Sequence, residues 1–78
     1  MNKACHKAYT TTYAHLSTGE INVLTLRAET LAACAWTALG SGSKGEYDKF
    51  ILACAAHISA GKGLSHYAVV DIYNNLED

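Results

Sequence analysis

Apolar side chains recur through residues 43–61, SKGEYDKFILACAAHISAG, at the spacing of a single helix face. Tyr47, Phe50, Ile51, Cys54 and Ile58 stand at i, i+3, i+4, i+7 and i+11. Ser43 and Glu46 precede this stripe at the spacing of a capping box, in which the serine hydroxyl takes one orphan backbone N–H and the glutamate reaches back to another. Gly61 follows the last turn, where a residue without a Cβ adopts the left-handed conformation that closes a helix. The predicted helix is the element against which the rest of the chain packs.

Upstream the pattern changes character. Residues 7–16, KAYTTTYAHL, and 20–26, EINVLTL, are rich in threonine, tyrosine and aliphatic residues that suit a pleated, half-buried surface. Ser17-Thr18-Gly19 between them fits a three-residue hairpin loop with glycine in the left-handed position. The predicted element is an antiparallel hairpin over residues 7–27. Its register places His15, Tyr13, Thr11 and Tyr9 opposite Ile21, Val23, Thr25 and Arg27 on one face, with Leu24 and Leu26 on the other. A two-stranded hairpin is not stable alone, so at least one face must be covered by helices.

Two further elements follow from the same kind of reading. The alanine-rich run AETLAACAWTAL predicts a helix at about 29–39, with Leu31, Cys34, Ala35, Ala38 and Leu39 inward and Trp36 at the edge of the buried face. Gly40 to Gly45 reads as the linker into the next helix. At the end, LSHYAVVDIYNNLED reads as a helix at about 65–76, capped by Ser65 and striped by Ala68, Val69, Ile72, Tyr73 and Leu76. The competing reading is a strand, which the Val-Val-x-Ile run favours locally. The expected fold is therefore α+β in the order ββααα, with ββααβ and a three-stranded antiparallel sheet as the alternative.

Composition sharpens this picture in one respect. Of the 78 residues 39 are apolar, but 13 of those are alanine, which buries little area per residue. A chain of this size makes one domain with a marginal core. Either its larger side chains pack efficiently or a second subunit, as in a homodimer, supplies further burial. Net charge is −1 with the basic residues scattered, so the basic patch of a direct nucleic-acid binder is missing. No stretch approaches 18 apolar residues, and the N-terminus has no apolar signal region, so neither a membrane nor secretion is expected. The odd cysteine count, with Cys34 and Cys54 inside helical runs, points to a reducing compartment and the cytoplasm.

Candidate chemistry is sparse. Gly40-Ser-Gly-Ser-Lys-Gly45 matches G-x-G-x-x-G, but it follows a helix where a dinucleotide site needs a strand. Ser41, Ser43 and Lys44 there are the candidates for a modest anion site, weighed against an ordinary linker. Cys54 and His57 stand at i, i+3 and could share a metal, but no second pair completes a zinc set, and a buried cysteine packs as a small hydrophobe. No spacing unites a nucleophile, a base and an orienting group. No metal, no cofactor and no catalytic activity is expected.

What remains are aromatic and charged residues of the type favoured at interaction hot spots: Tyr9, Tyr13, His15, Arg27 and Trp36. Tyrosines also serve as core-rim residues with a wet hydroxyl. The expected function is a small non-enzymatic protein-binding module working through the hairpin face. In general build, a likeness of size and style, the chain is similar to accessory proteins of phages and mobile elements. These include small inhibitors of bacterial defence complexes such as anti-CRISPR proteins, which implies a role in binding and modulating a host complex. A small-ligand binder at the Gly40–Gly45 turn and a structural subunit of a larger assembly are the other readings.

Overall fold

The computed structural model describes residues 2–39 and 47–76. They form four helices: α1 (Lys3–Thr12), α2 (Thr18–Ala38), α3 (Tyr47–Ser59) and α4 (His66–Asn74). The described residues contain no strand, so the chain is all-α and neither ββααα nor ββααβ holds. The region read as a hairpin over 7–27 is α1, a turn and the first half of α2.

Local chemistry explains why these residues are helical. Ser17 is not a turn residue but the N-cap of α2, in a complete capping box with Glu20. The Glu20 N–H donates to Ser17 Oγ at 3.2 Å, and the Ser17 N–H donates to the Glu20 carboxylate at 3.3 Å. The threonines that suggested strands satisfy themselves within helices. Thr10, Thr25 and Thr30 each donate their hydroxyl to the carbonyl four residues back, at 2.8, 2.8 and 2.9 Å. Thr25 is fully buried, and this internal bond lets its hydroxyl sit in an apolar core. At the start of α1 the Asn2 side chain accepts from the Cys5 N–H, and the Asn2 N–H donates to the Glu29 carboxylate on α2, fastening α1 to its neighbour.

The helix predicted at 29–39 is the second half of a longer one, since α2 runs unbroken through Ala38. α3 buries Phe50, Ile51, Cys54, Ala55 and Ile58. The Ser43/Glu46 capping box assigned to it lies outside the described residues. The far end of α3 closes on Gly61, whose φ is +81°. There Gly61 N–H donates to Ile58 O at 2.9 Å and Lys62 N–H to His57 O at 3.4 Å, the paired bonds of a Schellman motif. The last element is helix, with Ser65 as its N-cap accepting from the Ala68 N–H at 3.2 Å.

α2 and α3 each lie against all three other helices. The core between them combines few large side chains with many small ones. Phe50, Ile58 and Val69 are fully buried beside Ala28, Ala32 and Ala35 of α2. Alanine on α2 brings its backbone close to its neighbours, and that leaves the long helix with a second, outward side to account for.

Candidate functional site

On α2 the buried positions are Ile21, Thr25, Ala28, Ala32 and Ala35, at i, i+4, i+7, i+11 and i+14. Half a turn away, Val23 and Leu26 are 56% and 52% exposed. A helix that is apolar on two sides usually has neighbours on both. Here the outward side is open to solvent and dimpled by two shallow hollows. One lies beside Gly19, Glu20 and Val23, the other beside Leu26, Arg27 and Thr30. Two exposed aliphatic side chains one turn apart, bracketed by one acidic and one basic residue, make this the most distinctive surface of α2.

The five residues expected to form one recognition face are distributed differently. Tyr9 is 5% exposed and belongs to the core, so its ring is not a surface group. Burial pushes its phenol above the ordinary tyrosine value, reinforced by Cys5 and Tyr13 and opposed by the Arg27 guanidinium. Tyr13, half-buried at the C-cap of α1, lies with its ring centroid 5.9 Å from that of Tyr9 and 6.4 Å from His15. Tyr9, Tyr13 and Arg27 do line one small hollow of about 300 Å³, closed by Leu64 before α4. His15 is exposed in the turn between α1 and α2 and does not line it. Trp36 is elsewhere, half-buried and stacked on Phe50 at 5.3 Å, with edge contacts to Tyr47 and Tyr73 at 5.6 and 5.7 Å. That aromatic cluster ties α2, α3 and α4 together. Ser41, Ser43 and Lys44, the anion candidates, lie outside the described residues.

The protein matches none of the family models, curated proteins or solved structures with which it was compared. The reading of its surface therefore rests on its own geometry.

Two of the three cysteines, Cys5 and Cys54, are buried, and Cys34 is exposed on α2. Cys54 is fully buried, and burial, with Cys5 nearby, pushes its thiol up to about 12. Cys5 is raised as well, by burial first and the Glu29 carboxylate second. Thiols held neutral in this way are poor nucleophiles at physiological pH. Among the described residues no group of three or more His, Cys, Asp or Glu is placed to hold a metal ion. The half-pair Cys54 and His57 is divided: the thiol is interior, while His57 Nε2 approaches the Gly63 carbonyl at 3.3 Å. A hollow of about 600 Å³ between α3 and α4 is lined by Ala56, Ala68 and Ile72 with His57, Lys62 and Asp71. No hydroxyl or thiol side chain lines it among the described residues, so His57 has no such nucleophile there to activate. No helix of the described residues is long and apolar enough to cross a membrane.

The outward side of α2 escapes sequence reasoning because a strand puts Val23 and Leu26 on opposite faces. The available signal is Ser17-x-x-Glu20. Read as a helix start, it puts Val23, Leu26 and Thr30 on one side and Ile21, Thr25 and Ala28 on the other.

Proposed function

We propose that this protein is a non-enzymatic, all-helical protein-binding module that docks a partner helix along the outward side of α2. The observation that carries the reading is the half-exposed pair Val23 and Leu26 on a helix whose opposite side is already buried. Residues of that size on a solvated helix face contribute nothing to the monomer core. On docking, each removes apolar area from water. The hollows on either side accept knobs from a facing helix, and Glu20 and Arg27 at their walls orient it. Such a module acts by occupying a surface of its partner and modulating what that partner does.

The test is comparative. Tagged wild-type protein and the variant Val23→Glu/Leu26→Glu are used in parallel for affinity capture from host lysate, after circular dichroism shows equal helix content and melting temperature. The reading expects a stoichiometric protein retained by the wild type and lost from the variant. Identical capture profiles from the two would exclude α2 as the docking side.

A further inference from the structure

The geometry points to a second copy of this chain as the occupant of the α2 face, packed antiparallel across a two-fold axis between Val23 and Leu26. This rests on the reading of α2 as a docking side and names its partner.

Gly19, Val23, Leu26, Thr30, Ala33 and Thr37 follow one another along the unbroken α2 at alternating steps of four and three. All six are exposed and none is charged. A step averaging about 3.5 residues is the one that keeps a seam facing a partner helix along its whole length. Thr30 already donates its hydroxyl to the Leu26 carbonyl at 2.9 Å, so its polar atom needs no partner across the seam. The stripe therefore runs the length of the helix without a charged side chain, its two hydroxyls being those of Thr30 and Thr37.

Charge complementarity selects the occupant and its direction. Glu20 and Arg27 flank the stripe on the same shoulder, two turns apart, about 10 Å along the axis. That is too far for them to pair within one chain, and Arg27 makes no hydrogen bond or ion pair among the described residues. Two antiparallel copies with Val23 opposite Leu26 of the second copy bring like shoulders together. Glu20 then meets Arg27 of the second copy, and the two-fold repeats the pair in the opposite sense. A parallel pairing along the same stripe places Arg27 beside Asn22 and Glu29 beside Cys34, with no opposite charges in contact. A face that supplies both signs at two-fold-related positions is complementary to itself in charge.

The core supplies the motive. Of the fourteen buried apolar residues among those described five are alanine, while Val23, Leu26, Leu39 and Leu52 lie outside. A chain this small gains much of its remaining apolar burial by association.

The test uses the full chain in light scattering coupled to size exclusion, from low micromolar to about 1 mM. The wild type is expected to pass from monomer to dimer across this range, with Arg27→Glu and Glu20→Lys each raising the dissociation constant at least tenfold, since each makes two like-charge contacts per dimer. Mixing the two variants restores the dimer as a heterodimer. In it the lysine introduced by one change faces the glutamate introduced by the other, and the native Arg27 of one chain faces the native Glu20 of its partner. Circular dichroism checks that each variant folds. If the loss of the Ser17 cap unfolds Glu20→Lys, then Arg27→Glu and Leu26→Glu, neither of which touches the cap, must both give monomers. A monomeric wild type at 1 mM overturns the inference, as does a dimer that survives both of those variants. A dimer abolished by each single change but not restored by mixing overturns the antiparallel arrangement. If the wild type is monomeric yet still retains a different protein that Val23→Glu/Leu26→Glu loses, the docking side stands and only the second copy is excluded.

Discussion

α3 and α2 solve the same packing problem with opposite choices of residue. α3 turns its bulk inward, burying Phe50, Ile51 and Ile58 in one stripe and leaving Leu52 as its exposed aliphatic exception. α2 turns three alanines and a threonine inward with Ile21 as its one large buried side chain, and carries Val23 and Leu26 outside. The difference is set by distance. The backbone of α3 lies closest to α1, while the small inward residues of α2 let α2 come close to α1 and α4 and leave room for the bulk that α3 sends into the shared core. α2 is thus the spacer of the core on one side and an apolar surface on the other. Its amphipathic character is weak because it has two apolar sides with different tasks.

The comparison breaks most severely where bulk is removed from α3. Phe50→Ala empties a fully buried site that stacks on Trp36 and meets the rings of Tyr47 and Tyr73. The expected loss is about 3–5 kcal/mol. Against a domain stability of roughly 5–15 kcal/mol this is a large share of the total, and at the lower end of that range it unfolds the chain. Urea unfolding followed by circular dichroism measures it; a loss below about 1 kcal/mol would contradict the packing described for α3. The converse change adds bulk where α2 is small. Ala32→Leu forces three more carbons into a position with no exposed surface, at an expected cost of about 1–3 kcal/mol. The same replacement at Ala33, one residue along and exposed, should leave the midpoint of the monomer, measured at low micromolar concentration, almost unchanged.

That contrast also explains what can be read from the sequence. α3 is legible because its buried residues are large, so hydrophobicity and burial coincide at Phe50, Ile51, Cys54 and Ile58. Gly61 and the Ser65 cap are legible because positive φ and N-capping select particular residue types. α2 is not, because the residues that are buried, Thr25 and the alanines, carry little hydrophobic signal, and those with a strong signal face outward. Ile21, Val23 and Thr25 then alternate as a strand would, and threonine content reinforces the impression although each of the threonines at 10, 25 and 30 bonds within its own helix. Tyr9 reads as a surface group for the same reason, whereas the helical period of α1 carries it inward with Cys5 and Ala8.

The start of α2 offers a finer comparison, with the start of α4. Ser17 and Ser65 cap their helices in the same way, each accepting from the N–H three residues on, at 3.2 Å. Ser17 alone has a reciprocal glutamate, whose carboxylate also accepts from the Ser17 hydroxyl at 2.9 Å. Ser17→Ala is expected to cost about 1 kcal/mol, and Ser65→Ala less, because the alanine at position 17 also strands one end of the capping box. Equal midpoint shifts in the two variants would show that the glutamate adds nothing.

The smallest expected effect on the fold separates the two sides of α2 most sharply. Val23→Glu exchanges an exposed β-branched residue for a better helix former, and the new carboxylate sits four residues before Arg27, where an opposite charge helps by about 0.2–0.5 kcal/mol. The stability of the isolated chain should therefore stay within about 0.5 kcal/mol of wild type at low micromolar concentration. The two proteins part as concentration rises. Association stabilises the folded state by mass action, so the wild-type melting temperature climbs with protein concentration while that of Val23→Glu stays flat. A side that served only the monomer fold would give the opposite record: a variant that melts early at every concentration and a wild type whose melting temperature does not move.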